Sequence, residues 1–446
     1  MSPRDLILEL WTKTRIDWGF ATDRIAQAFR REKGLSSHGR RVVAETLYGM
    51  IRQARRVDFA LEGQGGKPPR LGAGHRREVA RYLAYRVLAK EITPGEAAAE
   101  IPEIDWGKVA AVDDRIGKER DPVRRFAIGR SLPDFLAKRL LAQYGEEAGA
   151  LADALNQRAP LTVRANTIKV TREELAARLR QDGIESRPTP LTKDGLVLQT
   201  RVNAFGLAAF REGLFEVQDE ASQLVAELTA PPPGALVVDS CAGAGGKTLA
   251  VAASMKNKGR VVALDVSERK LEELRRRARR AGLSNVRAVA ISPKEWPDEV
   301  ERLRGKVDRV LVDAPCSGVG ALRRNPEARW RLSEDDLVRL PREQEAILRR
   351  VIPLLSEGGR AIYATCTLLG DENEDVVSRV LASDKSLELV RVAELWGKDR
   401  AAGITDSSGT FLQLAPHRHD ADGFFAAVLR KRGDRTPHAH AGSSSV

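Results

Sequence analysis

From residue 235 onward, short aliphatic runs alternate with helical stretches, and nothing else in the chain narrows its possible folds as much. The runs are ALVVDS (235–240), RVVALDV (260–266), NVRAVAI (285–291), DRVLVDA (308–314), RAIYATC (360–366) and FFAAVLRK (424–431). An Arg-rich helix follows the second run, and a helix over 343–355 leads into the fifth. Strands that alternate with helices predict a parallel, doubly wound α/β sheet. Ligands in such sheets sit at the carboxyl ends of the strands. The residues that follow each run are therefore where chemistry is expected.

The rest of the chain reads differently. Residues 1–130 carry apolar residues at helical spacing, in Leu6, Ile7, Leu10 and Trp11 and again in Val42, Val43, Leu47, Met50 and Ile51. Ser36 or Ser37 is placed to cap the second of these helices. A loop is expected over 63–74 and a helix over 76–90. From 131 to 230 the pattern is mixed, with helices at 132–144 and 172–181 and short strands LTVRAN (161–166) and GLVLQT (195–200). The run Pro231-Pro232-Pro233-Gly234 then marks a boundary. The expected organisation is an all-helical domain (1–130), a small α+β region (131–230), an α/β domain (231–433) and a disordered tail (434–446).

Three cysteines, Cys241, Cys316 and Cys366, make no disulfide framework and show no zinc-ligand spacing. A reducing, cytoplasmic setting is expected, with no metal. No apolar stretch is long enough to cross a membrane, and MSPRDLILEL lacks a signal peptide's layout, so no membrane partner is expected. Lys and Arg number 74 against 62 Asp and Glu, a net charge of +12. Clusters at Arg275, Arg276, Arg277, Arg279 and Arg280, and at Arg323, Arg324, Arg329 and Arg331 around Trp330, suggest a polyanionic partner.

The turn after the first run reads DSCAGAGGKT (239–248). Its glycines let a ligand approach the backbone closely. A phosphate-cradling P-loop would need glycine where Cys241 stands, and a dinucleotide fingerprint would need one where Thr248 stands. A nucleoside cofactor with no obligatory phosphate, such as S-adenosylmethionine, fits the turn. Asp265, ending the second run, is placed to accept hydrogen bonds from ribose hydroxyls. A plain strand-to-helix turn with no ligand is the alternative.

The fourth run ends in DAPCSGVGALRRNPEARW (313–330) and the fifth in ATCT (364–367). A lone strand-end cysteine is usually a small buried apolar group. Two at the same sheet edge suggest covalent catalysis, because a thiolate that adds to carbon 6 of a pyrimidine makes carbon 5 nucleophilic enough to take a methyl group.

DSCAGAGGKT resembles the DxCAAPGGKT motif of the RNA cytosine-5 methyltransferase family related to bacterial ribosomal RNA methyltransferase B. DAPCSGVG with RRNPEARW, YATCT with ENE (372–374), FEVQDEASQLVAEL (215–228) and DGFFAAVLRK (422–431) are similar to the family's other motifs in order and spacing. The helices that include RRVVAETLYGMIRQARRVDFAL (40–61) resemble its NusB-like domain. The resemblance implies a Rossmann-like methyltransferase domain, S-adenosylmethionine as cofactor, ribosomal RNA as partner and a monomer. It makes Cys366 the nucleophile and Cys316 the thiol that helps the adduct break down. Asp313 would hold the target base, with Lys247 facing it. Cys241, Ala242, Gly243, Ala244, Gly245, Gly246 and Lys247 would wrap the cofactor and Asp265 would hold its ribose. Two positions depart from the family: Ala244 replaces a proline, and Ser292, in AISPKEW (290–296), stands where an acid near the adenine is usual, with Glu295 as a nearby substitute. A non-catalytic RNA-binding or ribosome-assembly factor on the same scaffold is the alternative. Methylation of DNA cytosine would use the Cys316 thiol as nucleophile, and the second thiol argues against it.

Overall fold

The computed structural model describes residues 1–62, 74–200 and 202–433. The expected 63–74 loop, apart from Gly74, and the expected tail lie outside the described residues.

The described residues up to Gly129 form helices and their connections, and the first three helices, Pro3–Asp17, Ala21–Arg31 and Ser37–Arg52, share one core. Ser2 closes a capping box with Asp5, and Ser36 caps the third helix by accepting from the N–H of Gly39 (3.0 Å). Of the residues singled out by helical spacing, Leu6, Trp11, Val43, Leu47 and Ile51 are fully buried, while Val42 is half-buried against the core. The helix His75–Leu88 completes this packing.

A small antiparallel sheet follows, made of β1 (Leu161–Ala165), β2 (Ser186–Pro188), β3 (Gly195–Leu198) and β4 (Phe215–Val217) in the order β2-β3-β1-β4. The helix Arg172–Gln181, opened by a Thr171–Glu174 capping box, buries Leu175 and Leu179 beside it.

The larger sheet contains β5 (Leu236–Asp239), β6 (Arg260–Asp265), β7 (Val286–Ala290), β8 (Val307–Asp313), β9 (Leu355–Thr365), β10 (Leu387–Val390), β11 (Leu412–Leu414) and β12 (Phe424–Lys431). Its order is β10-β12-β9-β8-β5-β6-β7, with β11 also on β12. The five strands β7-β6-β5-β8-β9 are parallel, in a Rossmann-like arrangement. β12 is not: it runs antiparallel to β9, β10 and β11. The all-parallel expectation therefore fails at this edge, where only the four-residue helix Pro416–His419 separates β11 from β12, too little for a parallel crossover. Alternate residues of β9 face opposite layers, with Ala361 and Tyr363 in one core and Ile362 and Ala364 in the other.

The helix expected over 343–355 runs instead over Glu334–Val351. A Ser333–Asp336 capping box starts it, and the buried stripe Leu337, Leu340, Leu348 and Val351 outweighs the amide missing at Pro341.

From β5 the chain winds outward through β6 to β7, then returns to the other side of β5 to form β8 and β9. The strand order thus reverses between β5 and β8, and a crevice opens there at the carboxyl ends, the usual ligand site of such sheets.

Candidate active site

β8 and β9 are parallel neighbours, with Asp313 opposite Ala364. Equal register at their ends brings the next residues of each together, although Cys316 and Cys366 are fifty positions apart. Their sulfurs are 3.4 Å apart, and both thiols are free and half-buried. The backbone N–H of Gly320 donates to the carbonyl of Cys366 (3.0 Å), tying the two segments. The contact with Cys366, burial and the nearby Glu372 carboxylate push the Cys316 thiol well above its ordinary range.

Asp313 ends β8 and meets Lys247 from the helix Gly246–Ser254, with Nζ 2.7 Å from Oδ2. Lys247 is buried, and its ammonium also lies 4.7 Å from the ring centre of Phe424, the first residue of β12. Beneath it, Asp239 ends β5. Its Oδ2 accepts from the Thr248 hydroxyl (2.7 Å), while its Oδ1 has no hydrogen-bond partner. Burial raises this carboxyl from its ordinary 3.8 to about 7. Cys241 has its thiol pushed up to about 12 by burial, so it stays protonated and acts as a small packing group.

The residues 241–247 form a tight turn at the crevice floor. Gly245 has φ +90°, and a Cβ there would come within 2.7 Å of Leu274, so glycine is required for the following helices to close. Above Gly243 and Gly246 there is open space where a Cβ would lie. Ala242 is buried and Ala244 half-buried. The carbonyl of Ala244, the position that departs from the family's proline, accepts from Arg277 (2.7 Å), which steadies the turn. Asp265 accepts from the N–H of Gly243 (2.8 Å) and of Ser267 (2.8 Å), one on each oxygen. A carboxylate has about four acceptor positions, so two remain for a ligand's hydroxyls. An open glycine cradle with an acid at its rim fits a nucleoside cofactor. Ser292 lies two residues beyond β7, exposed, with its hydroxyl accepting from the N–H of Lys294 (3.2 Å); Glu295 is exposed on the same loop.

Only part of the arginine clusters is free for a polyanion: Arg276, Arg279 and Arg331 are exposed, while five others turn inward. Arg277 and Arg280 pair with buried Glu216. Arg323 is buried against Asp420 and Asp422, and Arg324 joins Asp219 to Asp422. Arg329 is fully buried and donates to Asn156 Oδ1 (2.6 Å) and the Ser131 carbonyl (3.2 Å). Trp330 packs on the helical core, its ring 5.6 Å from that of Trp18 and its N–H on the Ile51 carbonyl (3.0 Å). Of these, Trp330 joins the helical region to the α/β domain, and Arg329 ties the same loop to the residues around Ser131 and Asn156. Charge spacing cannot separate an internal ion pair from a free surface cation.

Between those two parts lies a cavity of about 780 Å³, lined among others by Tyr48, Arg52, Arg56, Tyr85, Arg158 and Arg324. Among the described residues, no group of His, Cys, Asp and Glu is arranged to hold a metal, and no helix is long and apolar enough to cross a membrane.

Sequence reading missed three residues of the site. In the sequence Phe424 is only the start of a strand. Glu372 lay in the ENE motif with no role attached. Gln344, which donates to Glu372 (2.8 Å), gave no signal at all.

The geometry agrees with what the chain is similar to. Residues 226–430 match the family described as 16S rRNA methyltransferase RsmB/F, and residues 132–204 match the ferredoxin-like domain of RsmF/B-like methyltransferases. The crystal structure of the protein PH0851 superposes with a TM-score of 0.78 at 26% identity, covering 97% of this chain and 99% of that one. The probable ribosomal RNA small subunit methyltransferase B of Synechocystis sp. is 30% identical, covering 89% of this chain and 92% of its own length. Its counterpart in Bacillus subtilis is 31% identical across 97% of this chain and 99% of its own length. That likeness runs almost end to end, and on it the chain belongs to the ribosomal RNA small subunit methyltransferase B family of S-adenosylmethionine-dependent enzymes.

Proposed function

We propose that this methyltransferase modifies carbon 5 of a cytosine in small-subunit ribosomal RNA through a covalent adduct on Cys366, and that it acts as a monomer in the cytoplasm. The observation that carries the reading is the contact between Cys316 and Cys366 at the carboxyl edge, beside the Lys247–Asp313 pair and the glycine cradle.

The 241–247 turn and Asp265 would hold S-adenosylmethionine, whose sulfonium would supply an electrophilic methyl group and leave as the neutral thioether. Ser292 stays a rim contact whose hydroxyl can still donate. Asp313 uses the oxygen that Lys247 does not engage to accept from the cytosine amino group, which fixes the ring's orientation. The Cys366 thiolate forms a bond to carbon 6, and electron density moves to carbon 5. After the methyl group is in place, the carbon 5 proton passes to solvent, the sulfur–carbon bond breaks and the thiolate is regenerated. Cys316 keeps its proton because its thiol is held well above the ordinary range, so it can donate to the departing sulfur 3.4 Å away. The same donation steadies the attacking thiolate at the start. The basic, tyrosine-bearing cavity between the helical region and the sheet supports passage of the RNA strand there, where Arg meets phosphate and Tyr stacks on bases.

The two thiols make the test. Cys366→Ala removes the attacking atom, so methylation and adduct should both disappear. Cys316→Ala removes only the donor to the leaving sulfur, so the protein should remain trapped on RNA as a slow, ribonuclease-sensitive band on a denaturing gel. A trapped band in Cys366→Ala alone would reverse the roles, and a band in neither would remove the covalent mechanism.

A further inference from the structure

Glu372 is fully buried between the two segments that carry the thiols. Its Oε2 accepts from the backbone N–H of Ser317 (2.9 Å) and from Gln344 Nε2 (2.8 Å). Its Oε1 accepts from the hydroxyls of Ser317 and Thr367 (3.1 Å for Thr367). Ser317 follows Cys316 directly, and Thr367 follows Cys366. One carboxylate therefore grips both segments, one residue past each sulfur. Asn373 reinforces the second grip, accepting from the Thr365 hydroxyl (2.6 Å) and donating to the Thr367 carbonyl (3.2 Å).

All four donors to Glu372 are uncharged. The ionisable groups on the surrounding elements are engaged elsewhere. Asp371 pairs with Arg139, Glu374 accepts from Gln413, Arg379 pairs with Glu345, and Asp313 is held by Lys247. Tyr363 donates its hydroxyl to the backbone carbonyl of Glu372, not to its carboxylate (2.6 Å). A buried carboxylate without a cation is expensive to keep, and packing alone would be served as well by a neutral side chain.

We propose that Glu372 is the positioning residue of the two-thiol site: it clasps the Cys316 segment to the Cys366 segment, and its unneutralised charge leaves only one of the two sulfurs free to ionise. The inference rests on the two-thiol reading above and adds what sets that pair. When Cys366 loses its proton, Cys316 donates its S–H to the resulting thiolate. A second ionisation would place three negative charges in one buried space. The upward displacement of the Cys316 thiol, caused first by its contact with Cys366, then by burial and then by charges that include Glu372, agrees with this. An unscreened charge at such separations moves a neighbouring titration on the order of one pH unit.

The test is alkylation of the full, cofactor-free chain by iodoacetamide across pH, with peptide mass mapping to follow the two cysteines separately. In the unmodified protein, the Cys316 midpoint should lie well above that of an ordinary cysteine, and this gap reads the effect of Glu372. Glu372→Gln keeps the shape and removes the charge, so the Cys316 midpoint should fall on the order of one pH unit and the gap should narrow. Glu372→Asp keeps the charge and shortens the reach. The gap should survive, while kcat falls about tenfold or more with KM for RNA and cofactor nearly unchanged. Unmoved midpoints in Glu372→Gln would overturn the proposal. So would faster reaction of both cysteines at every pH with no midpoint shift, the mark of a merely loosened fold, or an unaltered kcat in Glu372→Asp. Alkylation uses neither RNA nor cofactor, so failure of the covalent mechanism, read from the Cys366→Ala gel, is distinguishable from failure of the clasp.

Discussion

Asp239 offers a quantitative test of how the cofactor turn is built. Its carboxyl is 1% exposed, bonds the Thr248 hydroxyl through one oxygen and leaves the other without a partner. Burial, the largest cause, lifts it from 3.8 to about 7. A carboxyl whose folded value exceeds its unfolded one holds its proton more firmly in the folded chain. Its contribution to stability is complete below about pH 4 and is lost as pH rises through about 7. A shift of roughly three units corresponds to about 4 kcal/mol at most. Asp239→Asn has nearly the same shape and no charge to bury, and its amide oxygen can still accept from Thr248. Urea unfolding followed by circular dichroism, done at several values from pH 4 to pH 8, gives the stability difference between variant and parent. That difference should climb by up to about 4 kcal/mol in favour of Asn across the window. Titrations elsewhere cancel in the subtraction. A difference that stays flat would show that Asp239 is ionised throughout and that the turn tolerates a buried charge.

Two further outcomes follow from the site. Asp265→Ala removes the acid at the rim of the glycine cradle, and S-adenosylmethionine binding should weaken by about 1–3 kcal/mol; unchanged affinity in titration calorimetry would take Asp265 out of the site. Arg158, 60% exposed at the cavity between helices and sheet, pairs with the exposed Glu45 (3.1 Å), which a phosphate can displace, so Arg158→Ala should weaken RNA binding evenly across sequences and lower the salt-dependence slope by up to about one. An unaltered slope in filter binding would move the RNA path away from that cavity.

Much of this was legible in the sequence because local chemistry announced it. The core strands lie within a residue or two of their aliphatic runs, except that β9 begins five residues early, at Leu355. Gly245 betrays a backbone conformation other residues resist, and Cys316 and Cys366 stand at strand ends where their meeting follows from parallel neighbours. What stayed hidden depends on partners distant in the chain. β10 and β11 are only four and three residues long, and each is stabilised mainly by β12. Arg323, Arg324 and Arg329 look in sequence like surface cations, and only their buried partners show otherwise. Gln344 becomes meaningful only when its helix brings it to Glu372.

The stretch 323–331 has a consequence for how this protein can be divided. Glu327 accepts from the N–H of Ala21, Trp330 packs against Trp18, and Arg52 donates to the Arg323 carbonyl (3.0 Å). The same stretch continues directly from the Cys316 segment. The helical region is therefore mortised into the active-site loop and not merely tethered by a linker. A catalytic half cut free at residue 131 would carry a bare tryptophan and an orphaned buried acid on the same loop as its first thiol, and its failure would say little about what the helices recognise. Whatever disturbs the docking of the helices therefore reaches the loop that follows the first thiol, so the two parts work as one piece.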